Sequence, residues 1–262
     1  MENVLYYIWG TLFIIGISIF VHEFGHLISA KLFGVEVKVF SLGFGPRLFG
    51  FKFKETDYRI SLLPFGGYVE IESNENIKDS KSFFLKPAWQ RFVVLVSGVI
   101  INFITAFLAL TILIYVSTDN QRKLSPISVL NSAKLSAVLS IEMSSEIISL
   151  IDIMVTDEIG AKENIESSTI IFNVSRTAAE AGILNFLIFL IVIINLGLGL
   201  LNLMPILPLD GGHVLILGIE KIYGGRLSPK IVSFMQTFGK ILILLLIFFA
   251  LKFDIEMVFF KK

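Results

Sequence analysis

Hydrophobic and polar positions divide the chain into four long apolar runs separated by two charged connections and one short break. The first run extends from about Val4 to Leu32. Asn3 to His22 carry no formal charge, which as helix is about 30 Å, roughly one bilayer core. The second run lies between Arg91 and Asp119, the third between Glu180 and Asp210, and the fourth from about Ile231 to Leu251 with Lys240 inside it. Lys240 can snorkel to the nearer interface, which shifts that span slightly later. The pattern predicts a mostly α, polytopic membrane protein with spans over about 4–32, 92–117, 182–204 and 233–252. All of 1–262 reads as a single membrane-embedded domain.

The two connections carry structure of their own. In the first, Gly43-Phe44-Gly45-Pro46 reads as a turn. Tyr58 to Leu63 and Tyr68 to Ile71 read as short strands around Pro64-Phe65-Gly66-Gly67. This small hairpin either rests on the membrane surface or offers an edge to an extended peptide. In the second, Ser125-Pro126 reads as an N-cap with Pro at the first helical position. Apolar residues recurring through Leu130, Ala133, Ala137, Val138, Ile141 and Ile148 suggest an amphipathic helix to about Ile153, packed on the bundle or the interface. An acidic loop, Asp157 to Glu166, follows. The first connection holds eight Lys and Arg against five in the second. That bias puts the first connection in the cytoplasm, with both termini and the second connection outside.

Composition narrows the class. The chain is 55% hydrophobic with 25 phenylalanines, far too apolar for a soluble domain. Zero net charge gives no electrostatic case for nucleic acid. With no cysteine there is no disulfide, no thiolate nucleophile and no cysteine-based zinc site, so any metal must use His, Asp or Glu. The N-terminus lacks the positive region of a cleaved signal peptide, so the first segment is expected to stay in the mature protein.

Two of the three histidines sit inside the first apolar run, in Val21-His22-Glu23-Phe24-Gly25-His26. Four apart on a helix, His22 and His26 project from one face and can grip one cation, such as Zn²⁺, with Glu23 beside them as general base. The alternative, two histidines hydrogen-bonded in a helical core, is disfavoured because such groups in lipid are costly without a partner. A catalytic zinc needs a third protein ligand and an open position. Asp210, in Asn202-Leu-Met-Pro-Ile-Leu-Pro-Leu-Asp210-Gly-Gly-His213, is the only acid between Glu180 and Glu220. Pro205 and Pro208 prevent a regular helix there, while Gly211-Gly212 permit close approach of another element. Asp210 serving as an N-cap and His213 as the third ligand are the competing readings. Because one span separates the first from the third, these two run parallel and their motifs lie at similar depth, nearer the cytoplasmic face.

His22-Glu-Phe-Gly-His26 joined to Leu209-Asp210-Gly-Gly-His213 resembles the site-2 protease family of intramembrane zinc metalloproteases, and most of all the bacterial regulator of sigma-E protease group. Supporting matches are Ser41-Leu-Gly-Phe-Gly-Pro46, Pro64-Phe-Gly-Gly-Tyr-Val69, Gln90-Arg-Phe-Val-Val-Leu-Val-Ser-Gly98 leading to Asn102, and the approach from Asn202 to Pro205. The resemblance implies His22, His26 and Asp210 as zinc ligands, Glu23 as base, Asn202 as a polar residue assisting substrate or intermediate, and a hairpin that engages substrate. It also implies single-span membrane proteins as substrates and a multi-pass place in the cell membrane. Two departures stand out. Gly98-Val99 replaces the family's Gly-Pro, and the roughly sixty residues between the second and third spans leave no place for the PDZ domains carried by close relatives. A catalytically silent membrane receptor or scaffold with a structural zinc site is the rival reading.

Overall fold

The computed structural model describes residues 2–72, 81–118, 126–156 and 170–260. Among these residues the chain forms seven α-helices: α1 (Glu2–Leu32), α2 (Ala88–Thr118), α3 (Pro126–Thr156), α4 (Ile170–Glu180), α5 (Ile183–Leu203), α6 (Asp210–Tyr223) and α7 (Pro229–Phe260). Two strands, β1 (Val37–Phe53) and β2 (Thr56–Ile71), lie between α1 and α2. Four helical stretches are long and apolar enough to cross a membrane: Gly10–Leu32, Ala88–Ser117, Ile183–Leu203 and Pro229–Phe248. The fourth begins a few residues before the sequence-based estimate.

The hairpin differs most from the sequence reading. Gly43-Phe44-Gly45-Pro46 does not end a strand, because β1 runs through it, and β2 runs through Pro64 to Gly67. The tight turn is instead at Lys54-Glu55, with Phe53 opposite Thr56 and Lys54 at φ 53°. Gly43 and Gly66 take φ of 89° and 108°, values that a residue with a β-carbon rarely adopts, so they bend the strands without terminating them. Phe40 consequently faces both Tyr58 and Val69 in the ladder, and the first half of β1 lies between two portions of β2. This small antiparallel sheet packs on the helices through Leu27, Ala30, Val37, Phe40 and Val94. At its base, Lys38 Nζ lies 2.6 Å from Glu72 Oε2. That hydrogen bond holds the Lys38 ammonium above its ordinary pKa.

Helix α3 begins at Pro126, as the missing N–H of proline permits. The face it turns inward is not its apolar stripe. Ser132, Ser136 and Met143 are buried, while Leu130, Val138, Ile141 and Ile148 are exposed. Small residues on that face let α3 approach its neighbours closely. Met143 thereby joins Ala106, Leu110, Leu113, Ala178, Phe189, Val192 and Leu196 in the core between α2, α3, α4 and α5. Ser125 and the acidic loop Asp157 to Glu166 lie outside the described residues.

Two close backbone approaches set the position of the site. A β-carbon on Gly25 of α1 would lie 2.5 Å from the Ser97 carbonyl oxygen of α2, so these helices cross with almost no space between them. The segment from Met204 to Leu209 then turns the chain from α5 into α6. A β-carbon on Gly211 would collide with the Leu203 carbonyl, and one on Gly212 with the backbone at Ile206 and Leu207. The Gly-Gly pair after Asp210 is what lets this turn close.

Candidate metal centre

α1 presents His22 and His26 from one face, both buried. Their Nε2 atoms are 3.2 Å apart. Asp210, in the first turn of α6, brings Oδ2 to 3.0 Å from His22 Nε2 and 3.3 Å from His26 Nε2. Leu209 is the N-cap residue and makes no side-chain cap bond, so the Asp210 carboxylate is turned to the imidazoles instead of capping its own helix. Among the described residues, His22, His26 and Asp210 are the group whose ligand atoms converge as a metal site requires.

The spacing and the hydrogen bonding both suit a divalent ion. Tetrahedral zinc about 2.0–2.1 Å from each ligand places the ligand atoms about 3.3 Å from one another, close to the three separations here. His26 Nδ1 lies 2.8 Å from the Val94 carbonyl oxygen and donates to it, leaving Nε2 of the neutral ring as a lone pair. Asp210 Oδ2 is buried and accepts no hydrogen bond. Lone pairs facing one another in a buried space are satisfied by a cation between them. Gly98 keeps that space open, because a β-carbon there would lie 2.5 Å from His26 Nε2 and 2.8 Å from His22 Nε2.

Glu23 lies beside the triad and accepts a hydrogen bond from the Val69 backbone N–H of β2. The sheet thus fixes the carboxylate next to the three candidate ligands, and a β-carbon on Gly67 would lie 2.6 Å from the Ser41 carbonyl oxygen of β1, so glycine is what lets the two strands pair this closely. Glu23, His26 and Asp210 share a cavity of about 380 Å³ with Val69, Arg91, His213 and Glu220. A second cavity of about 400 Å³, lined by apolar residues of α2, α5 and α6 including Phe92, Val96 and Leu215, also reaches Asp210. His213 lines the first cavity but is not among the converging ligand atoms. Asn202 is not brought into the cluster: its Nδ2 donates to the Leu198 carbonyl of its own helix at 2.9 Å.

Three contacts of the site were not anticipated as functional. Asn102 Nδ2 lies 3.2 Å from His22 Nδ1. Gly98 abuts both rings. Arg91 Nη1 lies 3.4 Å from Glu220 Oε2, joining the start of α2 to the far end of α6. Asn102 carries a signal of its own, a polar side chain in the charge-free run from Phe92 to Thr118. The other two depend on helix crossings that no local pattern encodes.

Several curated proteins are similar to this chain. A "Putative zinc metalloprotease" of Fusobacterium nucleatum is 47% identical over 97 residues, 37% of this chain and 29% of the relative. One of Thermotoga maritima is 44% identical over 96 residues, 34% of this chain and 19% of the relative. These matches therefore span less than a third of those proteins. A third, from Campylobacter jejuni, is 24% identical over 94% of this chain and 92% of its own length. That alignment runs over 344 positions against a chain of 262 residues, so this relative carries segments absent here. The model of peptidase family M50 matches residues 10–246, nearly the whole bundle with both halves of the site inside it, and the chain belongs to that family.

Proposed function

We propose that this protein is an intramembrane zinc endopeptidase that cuts within or beside the transmembrane segment of single-span membrane proteins. The observation that carries this reading is the convergence of His22, His26 and Asp210 from separate helices, with Glu23 held alongside by the sheet. His22, His26 and Asp210 would hold the ion, which supplies Lewis-acid polarisation of a peptide carbonyl and acidifies water.

The remaining work falls to the chain. Glu23 accepts the proton of the attacking water and returns it to the leaving amine nitrogen. The Val69 N–H orients that carboxylate throughout. A helical substrate hides its carbonyls in i→i−4 bonds and must unwind before attack. The Gly67–Ile71 portion of β2 lies beside Glu23, and pairing an extended substrate along this edge would satisfy the freed backbone groups. Asn202 would exchange its bond to Leu198 for one to the substrate backbone. The apolar cavity beside Phe92 and Leu215 suits a hydrophobic substrate side chain.

The same reading covers setting and architecture. The Lys and Arg bias supports a multi-pass protein of the cell membrane with its site nearer the cytoplasm. Helices α3 and α4 take up most of the stretch between α2 and α5, which leaves no room there for a PDZ module of ordinary domain size. The test is Glu23→Gln in the full chain with a model single-span substrate. This variant retains zinc and loses cleavage. Cleavage at the wild-type rate would remove Glu23 from the mechanism.

A further inference from the structure

Asn102 is completely buried in α2, and among the described residues its one hydrogen-bond partner is the His22 ring. Its Oδ1 is buried and has no partner. A buried amide in lipid is costly, and a single bond to an imidazole is poor return if its role were only to join helices. The contact therefore has to be understood from the ring it meets.

His22 can bind a cation through Nε2 only if its proton is on Nδ1. An Asn102 N–H aimed at Nδ1 demands the opposite tautomer, with the proton on Nε2, where it would point at His26 and Asp210. A half-turn of the amide exchanges oxygen and nitrogen within the same outline. No hydrogen bond is lost at the far end, because none is made there. Oδ1 then accepts from Nδ1–H, and the Nε2 lone pair faces the other two ligand atoms. His26 already has this arrangement, with Nδ1 on the Val94 carbonyl at 2.8 Å. At His22 the acceptor on α2 is a side chain, where at His26 it is the backbone.

We infer that Asn102 is the positioning residue of the metal centre: its Oδ1 holds His22 in the Nδ1–H tautomer and so makes Nε2 a ligand. This inference rests on the reading of His22 as a zinc ligand. The two are tested separately in the detergent-solubilised full chain by zinc content and by competition with a colorimetric zinc chelator. Wild type holds zinc and His22→Ala loses it. If the histidine variant binds as wild type does, the ligand reading fails.

Asn102→Leu keeps the approximate shape without an acceptor, and its zinc affinity falls about 10–100-fold. Asn102→Asp keeps the acceptor and cannot donate in its ionised form, and it retains wild-type affinity. That rescue separates an acceptor for Nδ1–H from a packing or donor role, which aspartate would not restore. Wild-type affinity in Asn102→Leu overturns the inference. So does a loss in Asn102→Asp equal to that in Asn102→Leu. Should the leucine variant not fold, the aspartate variant still decides, because a folded Asn102→Asp without zinc contradicts the proposed role.

Discussion

Gly98 lies against His26 so closely that a β-carbon on the glycine would stand 2.5 Å from Nε2. Gly25, one residue before His26, meets α2 just as tightly through Ser97. The two glycines form a reciprocal crossing, and its consequence is chemical: backbone of α2 replaces any side chain on the metal-facing side of the rings. Gly98→Ala is therefore expected to lose zinc even though alanine favours helix by about 1 kcal/mol over glycine. Zinc content and melting temperature of the purified variant check this. Stoichiometric zinc with unshifted melting would show that the crossing has room to spare.

The helices and the two halves of the site were legible in the sequence because each leaves a strong local mark. Charge-free runs of bilayer length mark spans, and His22 and His26 share a helix face with Glu23 beside it. Asp210 is marked by isolation among apolar residues, and its two following glycines by the turn they permit. The hairpin is legible but its turn is not, because glycine signals both the end of a strand and a bend within one. Only the ladder, with Phe40 opposite Tyr58 and Val69, distinguishes the two. The inward face of α3 is not legible for a related reason: the small serines at positions 132 and 136 pack closely against the core while Leu130, Val138, Ile141 and Ile148 stay exposed, the reverse of what an apolar stripe suggests.

Arg91 and Glu220 form a mostly buried ion pair at 3.4 Å, and Glu220 also accepts from the Leu227 backbone N–H. This contact fixes the end of α6 opposite Asp210. Arg91→Met leaves Glu220 with its charge poorly compensated, and a cost of about 3 kcal/mol is expected for such a broken pair. Arg91→Met combined with Glu220→Met costs less than the single change. A double-mutant cycle on unfolding free energy measures the difference. Additive effects would mean that the two side chains are independent.

Asn195 of α5 donates to Ser18 of α1 at 2.9 Å and to the Ile191 carbonyl at 2.8 Å. Both side chains are fully buried, and Ser18 lies one helical turn before His22 on α1. Because the amide keeps Ile191 when Ser18 is removed, Ser18→Ala is expected to cost about 0.6 kcal/mol, the usual scale for such bonds between membrane helices. Asn195→Leu removes both bonds and overfills the α1–α5 contact, and costs more. Unfolding in mixed detergent compares the two variants, and a larger loss from Ser18→Ala would reverse this assignment.

Metal removal gives the most direct view of how the bundle is held. α1 and α6 meet at the site through His22, His26 and Asp210, and without a cation three buried lone-pair atoms remain opposed. Zinc that binds only the folded chain stabilises it by RT ln(1 + [Zn]/Kd), about 4 kcal/mol at a thousandfold excess over Kd. A chelator should therefore lower the melting temperature of wild type, and added zinc should restore it. His26→Ala and Asp210→Asn should respond weakly, because each lacks a ligand. Glu23→Gln should respond as wild type does, since Glu23 stands beside the ion without holding it. Zinc-dependent melting lost in Glu23→Gln would instead make that carboxylate a ligand and leave the proton transfer without its carrier.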